Sequence, residues 1–135
     1  MPGPLRRRLE AVTDGRPDVV LDVLFDDGLL YLTLQNLGSA HAHDVRVRFD
    51  RSIRAVEGTR DITALEIFRD LAFLPVGKRI EVFLDTSGNF FAQQGDTEFV
   101  AHIRFHDATG RQYQHRARHN LAVYRDLGYV RRSPV

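Results

Sequence analysis

The chain has no cysteine and no tryptophan, and Lys78 is the single lysine among its 19 basic residues. Without thiols there are no disulfide staples, no cysteine-ligated zinc and no thiol nucleophile. Without tryptophan the chain lacks the broadest of the aromatic rings that serve binding surfaces. Long apolar runs are missing too: none approaches the ~20 residues that a membrane-spanning helix needs. The opening "MPGPLRRRLEAV" carries arginines but no apolar stretch behind them, so no secretory signal is expected and the cytoplasm is the favoured compartment. Nor is there an excess of one charge. The 19 basic residues face 18 acidic ones, for a net charge of +1, which argues against nucleic acid as a partner. There is no glycine-rich phosphate loop, and no nucleophile elbow surrounds Ser39, Ser52, Ser87 or Ser133. The expectation is therefore a chain without catalytic residues and without a cofactor.

What is present is a period of two. A chain of 135 residues suits one domain, burying roughly 70% of the surface of its unfolded form. Residues 1–17, rich in Pro, Gly and Arg, read as a loose basic arm. From Val19, "VVLDVLF" and "LLYLTLQNL" flank Asp26-Asp27-Gly28, a tight-turn signal. "HDVRVRFD" alternates strictly, with Val45, Val47 and Phe49 on one face and Asp44, Arg46, Arg48 and Asp50 on the other. "KRIEVFLD" sets Ile80, Val82 and Leu84 on one side, and "TEFVAHIRF" does so with Phe99, Ala101, Ile103 and Phe105. Between 52 and 74 two periods compete. Ala64, Leu65, Phe68, Leu71 and Ala72 match a helical stripe, but the neighbours are strands, so extended structure with a short helix inside 61–72 is expected. "TSGNFFAQQGD" reads as a loop. "LAVYRDLGYV" reads as the last strand running on into a tail at 126–135. About seven strands with turns roughly every ten residues indicate an all-β, immunoglobulin-like antiparallel sandwich over residues 18–125.

One turn fixes a register. In Asp107-Ala108-Thr109-Gly110-Arg111, a three-residue loop with Gly110 left-handed sets Phe105 against Tyr113, Ile103 against His115, Ala101 against Ala117 and Phe99 against His119. A two-residue loop would put arginines on the core face, where an unpaired charge is costly. The three-residue loop is preferred. It leaves His102, Arg104, His106, Gln112, Gln114, Arg116 and Arg118 on the outer face.

With the strands placed, "LTLQNLGSAHAHDVRVRF" resembles bacterial immunoglobulin-like domains of the CARDB type and their fibronectin-III-like relatives. The shared positions are Asn36, Gly38, Ala42, Val45 and Val47. Leu74-Pro75-Val76-Gly77-Lys78 repeats a second shared step, with Val76 where that pattern has a second proline. Asp107, Gly110 and Tyr113 repeat a third. The resemblance spans Asp18 to about Tyr124. It implies a sandwich fold and a non-catalytic role as spacer, adhesion or interaction module, and it supplies no site residues. A genome of bacterial, GC-rich type fits the use of Arg over Lys. Asn36 is expected to bond its own turn, and Gly38 to supply a positive φ.

Four candidate sites follow. His41, His43 and Asp44 form a metal-like string, which as a metal site would make the chain a metal-dependent hydrolase, but zinc takes three or four ligands at about 2.0–2.1 Å. Two further histidines at i and i+4 of a strand, His102 and His106, stand roughly 13 Å apart, so the string is read as a polar strand entry. His115 and His119 read as inward histidines with hydrogen-bond partners. Arg104, Arg116 and Arg118 form an outer arginine face, joined by Arg46 and Arg48 if that strand lies in the same sheet. It is either a solvated surface balanced by Asp44, Asp50 and Glu98 or a patch for an acidic partner or anionic surface. Finally, Phe90 and Phe91 on their loop offer a binding tip for carbohydrate, or one of them folds onto the core. The expected partner is another protein, with a homodimer through a sheet edge as one form.

Overall fold

The computed structural model describes residues 15–56, 58–93 and 97–129. The expected arm therefore lies mostly outside the described residues, as does the tail beyond 129.

Seven strands form two antiparallel sheets. One holds β1 (Val19–Asp26), β2 (Leu29–Asn36) and β7 (Arg79–Thr86), in the order β1-β2-β7. The other holds β3 (Ala42–Phe49), β6 (Leu71–Leu74), β8 (Glu98–His106) and β9 (Gln112–Asn120), in the order β6-β3-β8-β9. The chain changes sheet after β2, β6 and β7, which makes an immunoglobulin-like sandwich. A two-stranded ribbon, β4 (Arg54–Ala55) with β5 (Arg60–Asp61), leads into a 3-10 turn at Ile62–Ala64 and a short helix at Glu66–Arg69. Residues 52–74 are thus extended with helical turns between, as their mixed periodicity indicated.

The alternating residues meet between the sheets. Leu21, Leu32 and Leu34 from one sheet pack against Val45, Phe99 and Ile103 from the other, all with at most 1% of their surface exposed. His119 Nε2 reaches across to the Leu21 carbonyl at 2.9 Å, so this inward histidine has the polar partner it requires. Phe68 closes the side of the sandwich beside β3, edge-on to Phe49 at 5.2 Å.

Both tight turns form as their residue types require. Asp27 and Gly28 have φ of 50° and 79°, the pair of positive values that a two-residue hairpin loop needs to match strand twist. Gly110 has φ of 89°, Asp107 N–H donates to Arg111 O at 3.0 Å, and Gly110 N–H to Asp107 O at 3.1 Å. The β8–β9 register is the one deduced from that loop: Phe105 opposite Tyr113, Ile103 opposite His115, Ala101 opposite Ala117 and Phe99 opposite His119. Asp107 holds the turn with its carboxylate, which accepts from Thr109 Oγ1 (2.6 Å), Thr109 N (2.9 Å), Arg111 N (3.0 Å) and Tyr113 Oη (3.0 Å). These bonds, the Thr109 hydroxyl first, lower its pKa to about 2 against a smaller opposing effect of desolvation.

Asn36 knots three loops at one end of the sandwich. Its Oδ1 accepts from Asp18 N (3.1 Å) and Gly38 N (3.0 Å), and its Nδ2 donates to Ala40 O (2.9 Å) and Leu74 O (3.1 Å). Its backbone adds Lys78 O and Gly77 N. The side chain is fully buried and has every donor and both acceptor positions used. Gly38 is needed for a reason other than the expected one. Its φ is not positive; instead a Cβ there would lie 2.2 Å from Arg16 O and 2.6 Å from Asp18 N. The incoming backbone, fastened by Leu37 N to Asp18 O and Ser39 N to Arg16 O, passes directly over it. Residues 16–18 are therefore part of the packed domain and not of a loose arm.

Two other segments differ from their sequence reading. "SGNFFAQ" is a helix, Ser87–Gln93, not a loop. The Thr86 hydroxyl accepts from Asn89 N at 3.2 Å, an N-cap that the glycine-flanked sequence disguised. Leu121–Tyr129 is 3-10 helix, not a continued strand. Asn120 Oδ1 accepts from Ala122 N (3.0 Å) and Thr97 Oγ1 (2.8 Å), turning the chain so that Leu121 enters the core and Tyr124 stacks on Phe25 at 6.5 Å. This segment runs past the boundary expected at 125.

Candidate functional site: an arginine groove on the four-stranded sheet

Because β3 lies beside β8, the two groups of outward arginines share one face. The ladder sets Arg46 opposite Arg104 and Arg48 opposite His102. On the other side of β8, Arg104 faces Gln114 and His102 faces Arg116. Two rows therefore cross three strands: Arg48-His102-Arg116 and Arg46-Arg104-Gln114. Strands lie about 4.8 Å apart, so these heads crowd together. Arg69, at the end of the short helix, adds a fifth guanidinium from beside β3. The five arginines line a concavity of about 610 Å³ whose deeper wall includes Phe68. Arg118 stands one row on, opposite Val100, and does not line it.

Among the described residues, no carboxylate forms an ion pair with any of the five. The acids expected to balance the face are otherwise placed. Asp44 sits in a bulge with φ of 51°, Asp50 accepts from Val100 N at 3.0 Å, and Glu98 lies at the far end of β8. Like charges directly opposite on neighbouring strands are destabilising. For the exposed Arg46–Arg104 pair the cost is roughly 0.5–1 kcal/mol. A bound anion would remove it.

The bulge at Asp44 also decides the histidine string. It turns His43 to the outer face, opposite Phe73 of β6 and His106 of β8. His41 and His43 flank the half-exposed Phe73 ring, each at 5.2 Å between centroids. His41 Nδ1 accepts from Val76 N at 3.2 Å. Both imidazoles thus clasp an edge-strand phenylalanine. Among the described residues no group of three or more metal-ligand side chains gathers.

For the aromatic pair, the alternative in which one ring folds onto the core is the one found, and it removes Phe90 from the candidate surface. Phe90 is only 2% exposed and belongs to the core, so it is not a surface contact. Phe91 packs edge-on to it at 5.3 Å and is covered by the Arg125 guanidinium at 5.1 Å. Burying Phe90 is what folds the segment into a helix. Of the named candidates, Arg104 and Arg116 share the groove, Arg118 borders it, and Phe90 and Phe91 lie elsewhere. Sequence reasoning missed Arg69, because nothing local to 61–72 says that the helix ends beside β3.

A family model described as "Domain of unknown function (DUF8453)" matches residues 5–125. No curated protein and no solved structure matches the chain.

Proposed function

We propose that this chain, which belongs to the DUF8453 family, is a non-enzymatic interaction module that engages an anionic protein partner through its arginine groove. The observation that carries this reading is the set of five guanidiniums around one concavity, without a paired carboxylate among the described residues. In a chain of net charge +1, such a concentration stabilises nothing internally and opposes the fold. A recognition surface accounts for it, since fields from clustered charges steer and hold partners of opposite sign. The resemblance to CARDB-type and fibronectin-III-like modules supports the same role. A carbohydrate tip at Phe90 and Phe91 has no geometric support.

The test is fluorescence anisotropy of a labelled polyglutamate peptide at low and moderate salt, with Arg104→Gln and Arg46→Gln beside the parent. Binding should weaken roughly 3- to 10-fold per substitution and fall steeply with salt. The same variants should melt slightly higher, because a like-charge contact is gone. Undiminished binding in both variants would refute the assignment of the face.

A further inference from the structure

Resting on that reading, we infer that the partner presents an extended acidic segment that adds as a fifth strand along the free edge of β9. Among the described residues β9 pairs with β8 alone, over nine residues with no bulge. The closing bond from Asp107 N to Arg111 O sets the phase of the ladder. Hydrogen-bonded pairs alternate with non-bonded ones in an antiparallel pair, so Tyr113, His115, Ala117 and His119 aim their backbone groups at β8. Gln114, Arg116 and Arg118 aim theirs at the open edge. Those three residues also carry their side chains on the cationic face. An incoming strand would meet backbone donors, backbone acceptors and guanidiniums together.

The usual protections of an edge are missing from β9. It contains no proline, no bulge and no inward lysine; among the described residues positive charge is what guards it. That charge selects the occupant. A second copy paired antiparallel about its centre would set Arg116 against Arg116, an unfavourable cross-strand pair. The chain's own ends, with Arg6, Arg7 and Arg8 at one and Arg131 and Arg132 at the other, carry the same sign. A strand with carboxylates on alternate residues, roughly 6.8 Å apart, matches Arg116 and Arg118. Its intervening residues would lie beside Tyr113 and Ala117, which are half-buried where every inward residue of β8 is buried. Apolar residues there would complete the core margin. The recognised segment is thus acidic and apolar in alternation.

An alternating Glu-Val nonapeptide and a block-ordered peptide of the same composition are titrated into the isotope-labelled protein, with amide hydrogen exchange followed by NMR. The alternating peptide should bind at least 10-fold more tightly, and should slow exchange at Gln114, Arg116 and Arg118 by 10-fold or more. A second variant, Gln112→Pro, removes an outward N–H at the start of β9, outside the groove lining, without touching the β8 ladder or any arginine. It should lose about 10-fold in affinity for the alternating peptide while holding polyglutamate unchanged. Equal binding of both peptides with unaltered β9 exchange would overturn strand addition yet leave the anionic face standing. Failure of every acidic peptide would overturn both, and tighter binding to duplex DNA or to anionic vesicles without β9 protection would overturn a protein strand as the occupant.

Discussion

Replacing Asn36 by Leu keeps the branched four-atom outline of the side chain and removes all of its side-chain hydrogen bonds. Four backbone groups then lose their partner: Asp18 N, Gly38 N, Ala40 O and Leu74 O. A buried group left unsatisfied costs about 1–3 kcal/mol, with carbonyls at the lower end because they have a second lone pair. The two amides dominate, and the sum is roughly 3–6 kcal/mol. That is a large share of the ~5–15 kcal/mol that holds a typical domain together. At about 4 °C per kcal/mol for a chain of this size, the midpoint should fall by roughly 12–24 °C. Urea denaturation followed by far-UV circular dichroism measures the loss directly, and an unchanged slope would show that the unfolded state is unaffected. Asn36→Asp retains the acceptor for Asp18 N and Gly38 N but turns two carbonyls toward a carboxylate, so it should remain destabilised. A loss below about 1 kcal/mol for the leucine variant, at constant slope, would refute the argument: the three loops would then be held by their backbone bonds alone.

Gly38→Ala should cost at least about 2 kcal/mol, since the methyl meets fixed backbone at Arg16 and Asp18 rather than a flexible side chain; a thermal melt equal to the parent would contradict that contact. Phe90→Ala should cost about 3–5 kcal/mol as a core cavity, and Phe91→Ala clearly less; the reverse order in urea melts would show that the exposed ring is the anchor. For Asp107 the sign follows from its lowered pKa. The folded carboxyl titrates below its unfolded value near 3.8, so its stabilising contribution is full above that value and is lost as pH falls toward about 2. Carboxyl carbon NMR titration should find the midpoint near 2, moving upward in Thr109→Ala.

The hairpins were legible because their signals are local and steric. Asp27-Gly28 and Gly110 name backbone conformations that few other residues tolerate, and Gly110 settled which side chains of β8 and β9 face each other. The arginine face was legible residue by residue, but its existence as one surface depended on β3 lying next to β8, a long-range fact with no local mark. The residue type of Gly38 suggests a left-handed turn, whereas the constraint comes from Arg16–Asp18 crossing above it. The helix at Ser87–Gln93 was hidden because "SGN" and "QQG" look like loop punctuation, while its determinants are one cap at Thr86 and the burial of Phe90. The string at His41–Asp44 runs into β3, but the bulge that turns His43 outward, and Phe73 between the imidazoles, come only from the pairing of β3 with β8 and β6.

The distribution of short and long connections also bears on the order in which the fold assembles. Within the two sheets, only β1–β2 and β8–β9 are joined by tight turns; every other pairing closes a long loop, which is entropically slow. Each sheet thus has one hairpin able to form early. The Asn36 knot joins residues 18, 38, 40 and 74, and it exists only once both sheets have met. In a chevron analysis Asn36 variants should speed unfolding and leave the refolding limb nearly unmoved, while Gly110 variants should slow refolding. The side chain that ties the loops together would act as a latch, setting the lifetime of the folded molecule rather than the speed of reaching it.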